Sequence, residues 1–385
     1  MIFLKIVFVS NYFNHHQKPF CEEMFQRLGN DFSFISTSVM REERRNLGYK
    51  QDDRQPYVIL AYENTQQQQR ALELIQNADV VIAGSAPKQL FLERIRKGKL
   101  LLRYSERPFK KKMSLPKRIY HSLRFHQADL WKKNVYMLCA GAYTSVDFAS
   151  IGMYQNRTYR WGYFPEVRTY QTDALMSEKQ ITSLMWCGRF VDWKHPDDAI
   201  LLASRLKESG YAFRLNMVGT GIMEDELHKL VKDLDLDDVV KFLGSMPTEQ
   251  VRNHMEQSGI YLFTSDRQEG WGAVLNEAMN SGCAVVASDA IGAVPFLLEH
   301  EKNGLIYQSG NLDMLYEKVS WLLDHPEEQK RMGSNAYSTI HTDWNASVAA
   351  ARLCNLAQSL LDGAKYPDLY PSGPCSHVSF LTDLK

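Results

Sequence analysis

The 385-residue chain has few cysteines, and none of them is placed for chemistry. Cys21, Cys139, Cys187, Cys283, Cys354 and Cys375 are scattered, with no C-x-x-C pair and no histidines at zinc spacing. That excludes a disulfide framework and a structural zinc site, and it reads as six reduced thiols, as expected in the cytoplasm. Long hydrophobic runs are also missing: none reaches the 18 or so apolar residues that a membrane span requires. The apolar start, Met1 to Val9, is short and passes into Ser10-Asn11 with no small-residue cleavage site, so it reads as a first strand and not as a signal peptide. Net charge is absent too, 45 Lys and Arg against 45 Asp and Glu, and no internal repeat is visible below the level of the fold.

What is present is globular: 44% hydrophobic and 23% charged residues, in a length that favours two domains. Apolar runs at Leu4–Ser10, Phe32–Ser36, Tyr57–Leu60, Val80–Ala83 and Leu100–Tyr104 alternate with helical patterns at Pro19–Leu28 and Thr65–Asn77. Such alternation predicts a parallel sheet covered on both faces. The first domain is expected over 1–165, closing in the stretch Tyr154–Pro165, with a polar link from Glu166 to Thr182. From Ser183 the alternation resumes. The expected divisions are 1–165, 166–344, a helix over 345–362, and an irregular tail over 363–385 rich in proline and glycine.

The zero net charge conceals an asymmetry. Residues 1–165 carry 26 Lys and Arg against 14 Asp and Glu, and the remainder carries 19 against 31. The excess concentrates in 103–133, where ten basic residues, among them Lys110, Lys111 and Lys112, face two acids and are interleaved with apolar residues at helical spacing. Two readings stand: a basic amphipathic surface docking on an anionic membrane, or a solvated helix face over an ordinary buried stripe.

Chemistry concentrates between Ser265 and Ser288, S-D-R-Q-E-G-W-G-A-V-L-N-E-A-M-N-S-G-C-A-V-V-A-S. The run Ile260–Phe263 reads as a buried strand, the following segment as its C-terminal loop, and Ala273–Ser281 as a helix closed by Gly282. Gly270 and Gly272 allow backbone N–H groups to approach an anion, and the first helical turn adds further donors, Ala273 included. Glu269 and Glu277 place one carboxylate on each side of that anion. The pair suits a sugar attached to a phosphate.

This segment resembles glycosyltransferase family 4, whose donor domain carries a Glu-x7-Glu motif in the same context. Four further pieces occur in the family's order. Met185–Phe190 (M-W-C-G-R-F) with Lys194 resembles the opening strand, its glycine Gly188, and the cations Arg189 and Lys194 that clamp the donor diphosphate. Phe213–Val218 running into Gly219-Thr220-Gly221 resembles the next turn. Val239–Gly244 resembles the strand and turn that pass the nucleobase, and Asn303-Gly304-Leu305-Ile306 with the Trp344 region resembles the last strand and the approach to the C-terminal helix. The resemblance implies an α/β chain of the GT-B fold, two Rossmann-like domains facing a central cleft with the C-terminal helix crossing back to the first domain. It implies a retaining, metal-independent glycosyltransferase that moves a sugar from a nucleotide-diphosphate sugar, a UDP-sugar by preference, to a saccharide acceptor, lipid-linked, in polysaccharide or glycolipid synthesis.

By the same resemblance Glu269 holds sugar hydroxyls, Glu277 the ribose, and Arg189 and Lys194 the leaving diphosphate. Gly188, Gly219, Gly221, Gly244, Gly270, Trp271, Gly272 and Ala273 line the donor, with Trp271 either beside the sugar or in loop packing. The partners implied are a nucleotide sugar, a saccharide acceptor and an anionic membrane surface, with no cofactor and no nucleic acid, and the location is cytoplasmic and peripheral to the membrane. The Asp233–Asp238 stretch offers a D-x-D spacing but reads as a solvated turn. On the acceptor side the sequence departs from the family: Ser10–Gln17 contains no glycine where the family often has a glycine-rich loop. His16 and Glu106 are the acceptor candidates there. The alternatives are a non-catalytic nucleotide-sugar-binding scaffold and an epimerase or phosphorylase on a similar fold.

Overall fold

The computed structural model describes residues 4–40, 42, 54–111, 114, 116–117, 119–120, 122–123 and 134–378. Lys112 and most of the basic segment beyond it therefore lie outside the described residues, as does the end of the tail. The chain divides into two compact units, one formed by 1–166 with 344–385 and the other by 167–343.

The first unit is built on β1 (Ile6–Ser10), β2 (Phe32–Ser36), β3 (Val58–Leu60), β4 (Val80–Ala83), β5 (Leu100–Glu106), β6 (Val135–Ala140) and β7 (Thr158–Trp161). They form one parallel sheet in the order β3-β2-β1-β4-β5-β6-β7. β1, β4 and β6 are buried along their whole length, which is why they read as unbroken apolar runs. The helix Thr65–Asn77 starts where Asn64 accepts the Gln67 N–H through its side chain. The helix Ala346–Leu361, capped in the same way by Asn345, belongs to this unit and packs on the helix Lys18–Leu28, with Arg27 donating to Ser347. Trp344 stacks on Phe164, ring centroids 6.3 Å apart.

Two expectations need correction. The stretch Tyr154–Pro165 is not only a domain end, since it contains the edge strand β7. The tail is not wholly irregular either: the Cys375 N–H donates to the Arg160 carbonyl, the Arg160 N–H to Ser376, and the Val378 N–H to Thr158, so residues 375–378 run antiparallel along β7. Cys375, Ser376 and Val378 are buried in consequence. The tail thereby covers a sheet edge that would otherwise present unpaired backbone groups.

The second unit carries β8 (Gln180–Cys187), β9 (Arg214–Val218), β10 (Val240–Gly244), β11 (Ser258–Phe263), β12 (Ala284–Ser288) and β13 (Leu305–Tyr307). Again the sheet is parallel, ordered β10-β9-β8-β11-β12-β13. Its core joins Leu184, Trp186, Leu215, Met217, Ile260, Leu262 and Val286 of the sheet to Ile200, Leu206 and Leu227 of the helices Pro196–Glu208 and Glu224–Asp233. The polar link Glu166–Thr182 proves to be structured: it contains the helix Thr172–Ser177, and Lys179 is buried. Among the described residues no helix is long and apolar enough to cross a membrane.

Candidate active site

The strand order of the second sheet reverses between β8 and β11. In an open parallel sheet the crevice outside the strand C-termini at such a reversal is where ligands bind. Lys194 lies just beyond β8 and Glu269 just beyond β11, and there the two side chains meet. Lys194 Nζ is 2.5 Å from Glu269 Oε2, and Ser265 Oγ donates to the same oxygen at 3.1 Å.

Local bonding explains that meeting. After β8 the chain passes Gly188, Arg189 and Phe190 into a 3₁₀ turn, Asp192–Lys194, before the helix Pro196–Glu208 begins. Thr264 Oγ1, at the end of β11, donates to the Lys194 carbonyl at 2.7 Å and accepts from Trp186 Nε1 at 2.9 Å. The Asp266 N–H donates to the Trp193 carbonyl at 2.9 Å. The two loops are thus stitched together through their backbones, which leaves the charged side chains little freedom.

The glycines serve the same rim. A Cβ on Gly219, whose φ is 136°, would fall 1.8 Å from the Gly188 carbonyl oxygen, and one on Gly221 would fall 2.3 Å from that of Phe190. Only glycine lets the turn after β9 nest against the turn after β8. The N–H groups of Gly188 and Gly219 are already engaged, with Val218 at 3.0 Å and Gly244 at 2.9 Å, so these glycines shape the rim and do not donate to a ligand. The segment Gly270–Ala273 differs. Among the described residues no group accepts from the N–H groups of Gly270, Gly272 or Ala273. Three unpaired donors within four residues, next in the chain to the Lys194-bound Glu269, form a place for an anion.

Trp271, expected beside the sugar or in loop packing, takes the second place. It is fully buried, its indole N–H donates to Asn276 Oδ1 at 2.8 Å, and its ring lies near Phe296. Arg189 is exposed, with its guanidinium carbon 5.7 Å from the Trp193 ring centroid; Lys194 Nζ lies 4.7 Å from the same ring. Glu277 is half-buried on the helix Val274–Asn280, and its carboxylate makes no hydrogen bond or ion pair with a described residue. Burial pushes its carboxyl above the ordinary carboxylate range, and Arg252 and Arg168 pull it partly back. Both Glu277 and Lys194 lie near enough to the Cys187 thiol, at the end of β8, to act on its charge. Lys194 and Glu269 meet at the mouth of β8 and β11, and Arg189 lies in the same loop as Lys194.

A second cluster stands in the first unit. His16 stacks on Tyr163, centroids 5.7 Å apart and planes within 11°, and Tyr163 Oη donates to Glu106 Oε1 at 2.8 Å. Lys110 Nζ holds Glu106 Oε2 at 2.8 Å. His16 and Glu106, 90 positions apart in the chain, are brought together by a tyrosine that the sequence did not single out. The loop before His16 is shaped without glycine: Asn11 and Asn14 side chains accept the N–H groups of Tyr12 and His16 at 2.9 Å each.

Among the described residues His195, Asp197 and Asp198 each bring one ligand atom within 4.8 Å of the others. The acids of the Asp233–Asp238 stretch are turned to solvent, where Lys207 bridges Asp235 and Asp238. Sequence reading also missed the buried polar groups behind the site. Lys179 Nζ donates to the carbonyls of Met255, Ser258 and Ser281 at 2.8, 2.9 and 2.6 Å. Arg252 donates to Ser281 Oγ at 3.0 Å and Asn280 Oδ1 at 2.5 Å. A lysine in a polar stretch gives no signal of such burial.

Residues 173–339 match the family model described as glycosyl transferases group 1. The chain is 28% identical over 193 residues to the amylovoran biosynthesis glycosyltransferase AmsK of Erwinia amylovora, an alignment covering 49% of this chain and 46% of that protein. It is 27% identical over 185 residues to a GDP-mannose-dependent monoacylated alpha-(1-6)-phosphatidylinositol monomannoside mannosyltransferase of Corynebacterium glutamicum, covering 46% and 48%. The matched region spans about half the length of these relatives. In fold, the chain is similar to Anabaena Alr3699/HepE in complex with UDP, with a TM-score of 0.66 at 15% identity over 92% of this chain and 100% of that one. That likeness shows the GT-B fold.

Proposed function

We propose, from the match of residues 173–339 to the glycosyl transferases group 1 model and from the GT-B fold, that the protein is a retaining glycosyltransferase acting in polysaccharide or glycolipid synthesis. The observation that carries the reading is the convergence of Lys194, Glu269 and the unpaired N–H groups of Gly270, Gly272 and Ala273 at the switch point between β8 and β11.

Departure of a diphosphate is the demanding step, because negative charge grows on the leaving group as the sugar becomes oxocarbenium-like. Fixed donors aimed at that charge are each worth roughly 10²-fold or more in rate. The Lys194 ammonium gives one N–H to Glu269 and keeps two for phosphate oxygens, and Arg189 adds a planar fork from the same loop. Glu269, oriented by Lys194 and Ser265, takes sugar hydroxyls. Glu277, whose carboxylate has no bonded partner in the unit, takes the ribose. With charge neutralised by side chains and backbone, the reaction needs no metal.

The donor is a nucleotide-diphosphate sugar, UDP-linked by preference. Solved neighbours of this fold are described with UDP and with UDP-glucose, while the C. glutamicum relative is named for GDP-mannose. For the acceptor, a lipid-linked saccharide fits the relatives named for amylovoran biosynthesis and for mannosyl transfer to a phosphatidylinositol monomannoside. The described part of the basic segment offers Lys110, Lys111 and Lys117 beside Ile119, Tyr120 and Leu123, which are 54%, 61% and 60% exposed. Apolar side chains left in water among lysines suit the anionic surface on which such an acceptor would lie.

Incubation with a panel of UDP-, GDP- and other nucleotide sugars plus lipid extract, with and without chelator, tests the proposal. Nucleotide release and transfer that persist in chelator are expected, with retention at the anomeric carbon. If no donor is turned over while nucleotide still binds, the chain is a nucleotide-sugar-binding scaffold instead.

A further inference from the structure

The helix Val274–Asn280 is short, yet it must hold Glu277 at a fixed height over the mouth of β8 and β11. A helix of this length has too few internal hydrogen bonds to hold its own position, so something else must anchor it. What anchors it sits at its far end. The last carbonyls of a helix lack intrahelical partners and carry the negative end of the dipole. Here Lys179, almost fully buried, donates to the Ser281 carbonyl just past the helix, and with its other two hydrogens to Met255 and Ser258 of the neighbouring helix end and strand start. Arg252, also buried, grips the Asn280 and Ser281 side chains, and Asn280 in turn holds both the N–H and the carbonyl of Arg168 at 2.8 and 3.0 Å. Lys179 uses its hydrogens on backbone carbonyls, with the Cys283 thiol 3.7 Å away, and Arg252 donates to the neutral side chains of Asn280 and Ser281. Behind them the packing is close: a Cβ on Gly333 would fall 2.3 Å from the Gly282 carbonyl oxygen, so only glycine there lets the helix Pro326–Thr342 approach the helix end.

We propose that Lys179 and Arg252 are positioning residues: a buried two-cation anchor on the closing end of the Val274–Asn280 helix that sets where Glu277 stands, and so how tightly ribose hydroxyls are held. Neither side chain touches the nucleotide. Each acts through the helix, over about one turn, and the anchor rests on the ribose assignment of Glu277 made above. The Arg252 charge, with that of Arg168, favours the ionised carboxylate that a pair of hydroxyl donors requires.

The measurement is a ratio of affinities. UDP and GDP are each titrated alongside their 2′,3′-dideoxy counterparts, and the ratio of ribo to dideoxy affinity reads the Glu277 contact without regard to how the diphosphate is held. The wild-type protein should prefer the ribo form of whichever nucleotide it binds by about tenfold, in line with one charge-assisted hydrogen bond or more. Lys179→Met and Arg252→Met should reduce that preference to about twofold or less, as Glu277→Gln does, with the diphosphate contribution retained. Lys179→Arg should recover part of it. Should Lys179→Met fail to fold, Ser281→Ala removes the hydroxyl that accepts from Arg252 while leaving the carbonyl that accepts from Lys179 in place, and an intermediate ratio is expected. Folded anchor variants that keep the wild-type ratio would overturn the proposal. A wild-type protein that binds nucleotide with no preference for the ribo form would instead remove the ribose role of Glu277 itself.

Discussion

Each unit of this protein buries one long cation that is held by carbonyl groups, and the two cations lead different lives. Arg94 in the first unit is fully buried and donates to Ile75, Ala78, Asp79 and Leu100, tying the end of the helix Thr65–Asn77 to the starts of β4 and β5. Lys179 in the second ties the ends of two helices to the start of β11. Both satisfy helix C-terminal carbonyls at the N-terminal edge of a parallel sheet, and burial lowers the pKa of both, that of Arg94 to about 10. They differ in what lies at the other end of the helix they hold. For Lys179 it is Glu277 and the β8–β11 mouth; for Arg94 it is a helix with no candidate residue upon it. The same physical device is structural in one place and positional in the other.

The largest expected effect separates chemistry from anchoring altogether. Glu269→Ala or Lys194→Ala should lower kcat by about 10³-fold or more, each removing a group aimed at the reacting centre, with the melting temperature nearly unchanged; steady-state rates and melting curves check it, and wild-type rates in either variant would reject the roles. Arg94→Met comes next. Four carbonyls lose their donor, so a loss of about 3 kcal/mol or more is expected in denaturant unfolding, with the ribo-to-dideoxy ratio of the folded fraction intact. If that ratio falls as it does for Lys179→Met, the contrast between the two cations fails.

A smaller effect runs in the opposite direction. Asp198, buried beside Asp197, has its carboxyl pushed up to about 6, chiefly by burial. The folded state thus binds more protons than the unfolded one between about 4 and about 6. Stability must fall as pH rises through that window, and the penalty is complete above it. Asp198→Asn should therefore stabilise the protein at pH 7 by about 1–3 kcal/mol, at roughly 1.4 kcal/mol per unit, and should flatten unfolding midpoints across that window. Smallest of all, Lys110→Ala with Lys111→Ala should weaken sedimentation with anionic vesicles by a few fold, about 1 kcal/mol per lysine at most. Unchanged binding would leave these two lysines as solvated charges.

The sequence made most strands of both sheets legible for one reason: strands buried on both faces, such as β4 and β12, are unbroken apolar runs. β6 is equally apolar but was not assigned, lying just past the basic segment, and β7 is a short aromatic strand whose outer neighbour comes from the tail. Among the site residues, Arg189, Lys194, Glu269 and Glu277 were singled out because their spacing lies within short stretches of the chain, and the structure brings Lys194 and Glu269 into contact. Tyr163, Lys179 and Arg252 were not. Each matters through a partner far away in sequence, 57 residues for Tyr163 with Glu106 and 102 for Lys179 with Ser281, and a polar residue in a polar stretch defaults to solvent until its partners are known. Trp271 was read both ways and only its full burial decides the matter.

The most direct test of the whole account is a crystal structure with a bound nucleotide diphosphate. The account predicts the diphosphate on the N–H groups of Gly270, Gly272 and Ala273 between Arg189 and Lys194, with the ribose hydroxyls on Glu277. A diphosphate bound away from the mouth of β8 and β11, or a ribose turned away from Glu277, would contradict it.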